Sequence, residues 1–106
     1  MAKYLVQATY TSEGLKGLLK EGGTGRVKAI EALIKSAGGK VEAVYFAFGE
    51  TDVYVIVDMP DNESAAAVSL AAGSAGMSSS KLTTLKTPEE VDSATGKAVD
   101  FRAPGK

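Results

Sequence analysis

The chain of 106 residues contains no cysteine, no histidine and no tryptophan. Without cysteine and histidine there is no disulfide, no Cys-His or Ser-His nucleophile, and no ordinary zinc, copper or haem-histidine site. A metal site would need clustered carboxylates, and the sequence shows no such cluster. We therefore expect no metal and no cofactor, and any acid–base chemistry must rest on Asp, Glu, Lys or Tyr.

The chain also lacks an excess charge and a long apolar run. Its net charge is −1, with acidic and basic residues interspersed, so the basic stripe of a nucleic-acid-binding protein is missing. There is no polybasic segment for anionic lipid, and no apolar run approaches the ~20 residues that span a bilayer. The N-terminus lacks the apolar core of a signal peptide. We expect a cytoplasmic protein with neither a nucleic-acid nor a membrane partner.

What is present is a regular succession of strand and helix patterns, read from apolar alternation, 3–4 spacing and capping residues. The predicted elements are a strand over 3–10, a helix over 12–37 interrupted by glycines at 22–25, strands over 40–48 and 52–59, a helix from 61 or 62 to about 72, a flexible connection over 73–80, a strand over 81–87, a helix over 88–98 and a tail from about 99. This β-α-β-β-α-β order predicts one α+β domain over residues 1–106. We expect a ferredoxin-like, four-stranded antiparallel sheet with the helices on one face.

The register of the central hairpin decides which side chains line the other face of that sheet. If Phe48 lies opposite Asp52, a mostly small and β-branched set packs under the helices: Ala43, Tyr45, Ala47, Val53, Val55 and Val57. The remaining face then carries Val44, Phe46, Phe48, Asp52, Tyr54 and Ile56. Because one chain has nothing left to cover so apolar a face, we expect a second copy to cover it, which gives a dimeric α/β barrel. A one-residue slip would exchange the faces and leave both apolar.

The stretch AFGETDVYVIVDMPD over residues 47–61 is similar to the signature of the GYD domain family. The segments 4–11, 14–23, 38–42 and 87–90 are also similar to that family, so the resemblance spans most of the chain. It implies a small bacterial protein with the dimeric α/β-barrel fold and self-association, and it brings no established reaction. Gly49 and Asp52 match the namesake glycine and aspartate, whereas Thr51 stands in place of the tyrosine. A phenol in that role would have to come from Tyr45 or Tyr54.

Five side chains are candidate ligand contacts in the space between two sheets: Gln7, Phe46, Phe48, Asp52 and Tyr54. Asp52 and Tyr54 are also the candidate catalytic residues, because a carboxylate and a phenol in an apolar cavity can serve as base and acid. The alternative interpretation is that Asp52 ends the hairpin turn and Tyr54 belongs to an interface core, with no ligand.

The glycine run at 22–26 (GGTGR) precedes a helical pattern, where backbone N–H groups can hold a phosphate. It lacks the Gly-Lys-Ser/Thr of a P-loop. A flexible break between two helical pieces is the interpretation that we favour.

Three functions remain open at this point. The leading hypothesis is a homo-oligomeric domain that binds or senses a small molecule in a pocket between the sheets. The second is a cofactor-independent enzyme, such as a monooxygenase or isomerase, that uses Asp52 and Tyr54 while Gln7 orients the substrate. The third is a structural or regulatory interaction module whose barrel is filled by side chains. Whether the protein is an enzyme is left open.

Overall fold

Residues 1–106, all of which this computed structural model describes, form four strands and three helices. The strands are β1 (Ala2–Tyr10), β2 (Lys40–Phe46), β3 (Val53–Met59) and β4 (Ser78–Leu85), and the helices are α1 (Ser12–Ser36), α2 (Asn62–Ser74) and α3 (Pro88–Thr95). The strands form one antiparallel sheet in the order β2-β3-β1-β4. The predicted α+β, ferredoxin-like fold is therefore confirmed. None of the helices combines the length and the apolar character needed to cross a bilayer.

The core lies between the sheet and the helices α1 and α2. Along β3, fully buried residues alternate with half-buried ones, because successive side chains of a strand point to opposite faces. The buried cluster consists of Tyr4, Ile30, Ile34, Val53, Val55, Val57, Met59 and Ala65. Each large apolar side chain buried here contributes about 1.5–3 kcal/mol to folding. The Tyr4 hydroxyl donates a hydrogen bond to the Asn62 side chain and so ties β1 to the start of α2.

Helix α1 carries a kink in its middle. Gly22 has φ +75° and ψ 167°, a conformation that costs glycine little and other residues much. The helix resumes at once and continues to Ser36, so the glycine run is a one-residue kink within a helix and not a loop. This arrangement agrees with the interpretation of the run as a break between two helical pieces.

The hairpin of β2 and β3 differs in register from the one assumed above. Phe46 lies opposite Val53 and Tyr45 lies opposite Tyr54, a slip of one residue, and the pairing shifts again between Val41 and Ala43. The assumed register is therefore wrong. The reason is that β2 ends at Phe46, so the connection runs from residue 47 to residue 52, and the slip packs the large Phe46 under the helices.

This slip exchanges the faces of β2 relative to β3. Val44 and Phe46 lie on the helix side and pack against the buried cluster. Ala43 and Tyr45 take their places beside Tyr54 on the opposite side. The uncovered face is consequently less apolar than expected.

The strand β4 begins three residues earlier than predicted. Ser78–Ser80 pair with β1, Ser78 lying opposite Tyr10, although the sequence indicated a flexible connection there. Backbone pairing with β1 outweighs the weak strand propensity of serine, which depends on context in any case.

Candidate functional site

The sheet face turned away from α1 and α2, here called the outer face, carries side chains in rows that cross the strands. One row crosses all four strands next to the β2–β3 loop and contains, in order, Tyr45, Tyr54, Gln7 and Lys81. Each is the direct cross-strand partner of its neighbour, and such partners have Cβ atoms about 4.5–5.5 Å apart. We call this set the polar row, and it contains two phenols, an amide and an ammonium group.

The next row of the outer face is mostly apolar. It consists of Ala43, Ile56, Leu5 and Thr83, again as direct cross-strand partners. The apolar members are half-buried in the single chain.

A charged group lies at the end of the outer face that is remote from the β2–β3 loop. The Lys3 Nζ lies 2.6 Å from a carboxylate oxygen of Glu42 and 3.0 Å from one of Asp58. The hydrogen bond to Glu42, followed by that to Asp58, raises the pKa of Lys3. This cluster joins β1 to β3 and to β2, and all its groups are paired, so it is a structural feature of the sheet.

An open depression of about 380 Å³ lies over the polar row. Gln7, Tyr54 and Lys81 form its floor, and the loop of residues 47–51 forms one wall. The ring of Phe48 in that wall is 98% exposed. The depression is therefore wide enough for a small organic molecule and lacks a cover on its outer side.

A second depression, of about 260 Å³, lies on the other side of the same loop, against α1. It is lined by Leu15, Leu18, Gly23, Phe46, Ala47, Phe48 and Asp52. The five predicted ligand contacts are thus divided between two places. Gln7 and Tyr54 lie in the depression over the polar row, Phe46 and Asp52 lie in the one against α1, and Phe48 borders both.

Asp52 connects the β2–β3 loop to the end of β1. Its carboxylate accepts a hydrogen bond from the Tyr10 N–H at 2.8 Å, and its own N–H donates to the Ala8 carbonyl at 2.9 Å. The Ala47 N–H donates to the Asp52 carbonyl at 2.8 Å. These contacts match the turn-ending interpretation of Asp52. The structure does not bring Asp52 and Tyr54 into one depression, and their joint catalytic role stays a prediction.

Sequence reasoning did not single out Lys81 as a site residue, and it placed Tyr45 under the helices. Lys81 joins the site only because β4 pairs with β1 in the register that sets it opposite Gln7. Tyr45 joins it because of the one-residue slip in the hairpin. No local pattern encodes either register, so only the pairing of distant strands reveals these two residues.

Comparison with known families bears on the same region. The family model described as GYD domain matches residues 4–95 of the chain. The chain belongs to the GYD domain family. No curated protein and no solved structure matches it. The matched region of this GYD domain contains the polar row and both depressions, whereas residues 96–106 lie beyond it.

In this GYD domain the threonine at the position of the namesake tyrosine is at the rim of the site. Thr51 is half-buried in the β2–β3 loop and borders the depression over the polar row. The phenols of Tyr45 and Tyr54 lie within the polar row itself. That one of them replaces the missing phenol stays a prediction.

Proposed function

We propose that this GYD domain is a cytoplasmic, homo-oligomeric domain that binds a small molecule on the outer face of its sheet, where a second copy covers the ligand. The observation that carries the proposal is that three members of the polar row, Gln7, Tyr54 and Lys81, form the floor of an open depression. A few convergent polar groups bordered by apolar surface are typical of small-molecule sites.

The polar row suggests the chemistry of the ligand. The Lys81 ammonium group donates only and favours a carboxylate, while the Gln7 amide can donate and accept. The Tyr54 ring beside them offers a flat surface for stacking and a hydroxyl for hydrogen bonds. A small, planar organic acid fits this set of groups best.

A second copy is part of the proposal because the site is incomplete in one chain. Small-molecule sites bury about 70–90% of the ligand surface, and an open depression on a sheet cannot do so. The apolar row next to the polar row, and the 71% exposed ring of Tyr45, would also lose contact with water if two outer faces packed together. Such a pairing buries both the ligand and this apolar surface.

Native mass spectrometry of protein purified directly from cells tests the proposal. The wild-type spectrum should show a dimer that carries an additional mass, and Lys81→Gln should lose that mass while remaining dimeric. Lys28→Gln is the matched control, because Lys28 is an exposed lysine on α1. A wild-type mass equal to that of protein alone, unchanged after incubation with a library of small aromatic acids, would contradict the binding function.

A further inference from the structure

The last 21 residues have a defined conformation but almost no contact with the rest of the chain. We call residues 86–106 the C-terminal arm, which contains α3. Residues 88–102 are all exposed, and every hydrogen bond and ion pair of the arm joins two residues of the arm. Apart from its covalent connection to the end of β4, therefore, no contact within its own chain holds the arm in place.

The overall dimensions also indicate that the arm lies apart from the rest of the chain. The radius of gyration is 16.7 Å, and the extents are 55 × 32 × 23 Å. A compact chain of this length has a radius of gyration of about 13 Å. The arm thus projects from the body of the domain.

The connection between β4 and the arm is short and has a defined conformation. Only Lys86 and Thr87 separate Leu85 from α3, and Pro88 restricts Thr87 to the extended conformation that it has, with φ −73° and ψ 159°. The Thr87 N–H donates to the Glu90 carboxylate at 2.9 Å, and the Glu90 N–H donates to the Thr87 hydroxyl at 3.1 Å. This capping box fixes the start of α3 at Thr87.

The arm carries apolar side chains that its own chain leaves uncovered. Val91 is 48% exposed, Val99 80% and Phe101 77%. A helix of eight residues is too short to be stable in water without packing. These side chains have no covering contact in their own chain, which leaves a second molecule to cover them.

We propose that the arm packs on a second copy of this chain, so that each copy of a dimer holds the other's arm. This inference rests on the proposed function, because the proposed function supplies the position of the second copy. Leu85, from which the arm departs, pairs with Lys3 at the rim of the outer face, so the arm starts where a second copy would end.

The apolar side chains of the arm would add to the surface that a second copy buries. A stable interface takes about 800 Å² of accessible surface from each partner. Val91, Val99 and Phe101 would contribute to that surface beside the outer face.

Photo-crosslinking tests the contact directly. The variant Phe101→p-benzoylphenylalanine, in the full-length purified protein, should give a covalent species of twice the chain mass on irradiation. The same replacement at Lys28, exposed on α1, should give none. Crosslinks found only within one chain, or none at all from position 101, would overturn the proposal.

Analytical ultracentrifugation separates this inference from the proposed function. The double variant Val99→Ser, Phe101→Ser should raise the dimer dissociation constant at least tenfold, whereas Lys97→Ser, Asp100→Ser in the same tail should leave it unchanged. Dimerisation of the apolar double variant at the wild-type concentration overturns the arm exchange. Ile56→Asp on the outer face should also dissociate the dimer. If this variant stays dimeric, the pairing of outer faces is contradicted, and the tail variants still test the arm exchange separately. A wild-type protein that is monomeric overturns both.

Discussion

Gln7 on β1 lies directly opposite Tyr54 on β3, on the two central strands of the sheet. On its other side Gln7 pairs with Lys81 of β4, so an amide is held between a phenol and an ammonium group by the backbone register alone. Rigid strands hold such a set more firmly than loops do.

Removing the Tyr54 hydroxyl should weaken ligand binding without affecting the fold. One lost hydrogen bond is worth about 1 kcal/mol, so Tyr54→Phe should raise the dissociation constant roughly five- to tenfold. Calorimetry with the acid identified by mass spectrometry measures this change. Tyr10→Phe is the matched control, because Tyr10 pairs with Ser78 on the helix side and should leave affinity unaltered. Equal affinities for wild type and Tyr54→Phe would remove Tyr54 from the site.

Asp52 should contribute to stability through its acceptor atoms. Asp52→Ala leaves the Tyr10 N–H without its partner and should lower the free energy of unfolding by about 1–3 kcal/mol. Asp52→Asn keeps an acceptor and should lose less. Urea denaturation of wild type, Asp52→Ala and Asp52→Asn measures this order of stability. If Asp52→Asn instead abolished a measurable turnover while leaving the melting temperature unchanged, the catalytic interpretation of Asp52 would replace the structural one.

The N-cap of α2 makes stability depend on pH. The Ser64 N–H donates to the Asp61 carboxylate at 2.7 Å, and this bond lowers the pKa of Asp61. Since the folded state then binds the proton less readily than the unfolded state, the cap stabilises the protein above the ordinary pKa of aspartate. That contribution is lost as the pH falls through the lowered value.

Asp61→Asn isolates this effect, because asparagine caps a helix without titrating. Wild type should have the higher urea midpoint at neutral pH, and its advantage should shrink between about pH 5 and pH 3. Glu90, whose pKa is lowered by the Thr87 N–H, should give a smaller difference of the same sign in Glu90→Gln. A gap between wild type and Asp61→Asn that widened on acidification would contradict the assignment.

Replacing each of two glycines of α1 by alanine should change the stability of the protein in opposite directions. A Cβ at Gly14 would overlap the Met77 carbonyl oxygen, which also accepts the Thr11 N–H at 2.8 Å. Gly14→Ala should therefore cost about 1–3 kcal/mol by overpacking. Gly17 has no atom within 4 Å of such a Cβ, so Gly17→Ala should stabilise the helix by about 0.5–1 kcal/mol. Thermal unfolding of the two variants measures this difference in stability. Equal melting temperatures would mean that α1 does not approach Met77 this closely.

Local chemistry predicted much of this fold. The capping box of Thr87 and Glu90, with Pro88 at the first helical position, is present as the sequence indicated. The alternation along β3 correctly placed Tyr54 and Ile56 on the outer face. These features depend on neighbours in the chain, so the sequence contains all that is needed to find them.

The candidate site was only half predictable, because it depends on how distant strands align. Gln7 and Tyr54 were identified, and Phe46 was assigned to the wrong face by the one-residue slip of β2. The slip follows from the length of the loop and from the irregularity between Val41 and Ala43, and neither has a clear local signature. Lys81 depended on the pairing of β4 with β1, two strands about 70 residues apart in the chain.

A crystal structure of the protein purified directly from cells is the decisive experiment for the proposed site. It should contain two copies with their outer faces opposed and an organic acid in contact with Gln7, Tyr54 and Lys81. An outer face that meets only solvent, or one packed entirely by side chains with no space over the polar row, would contradict it.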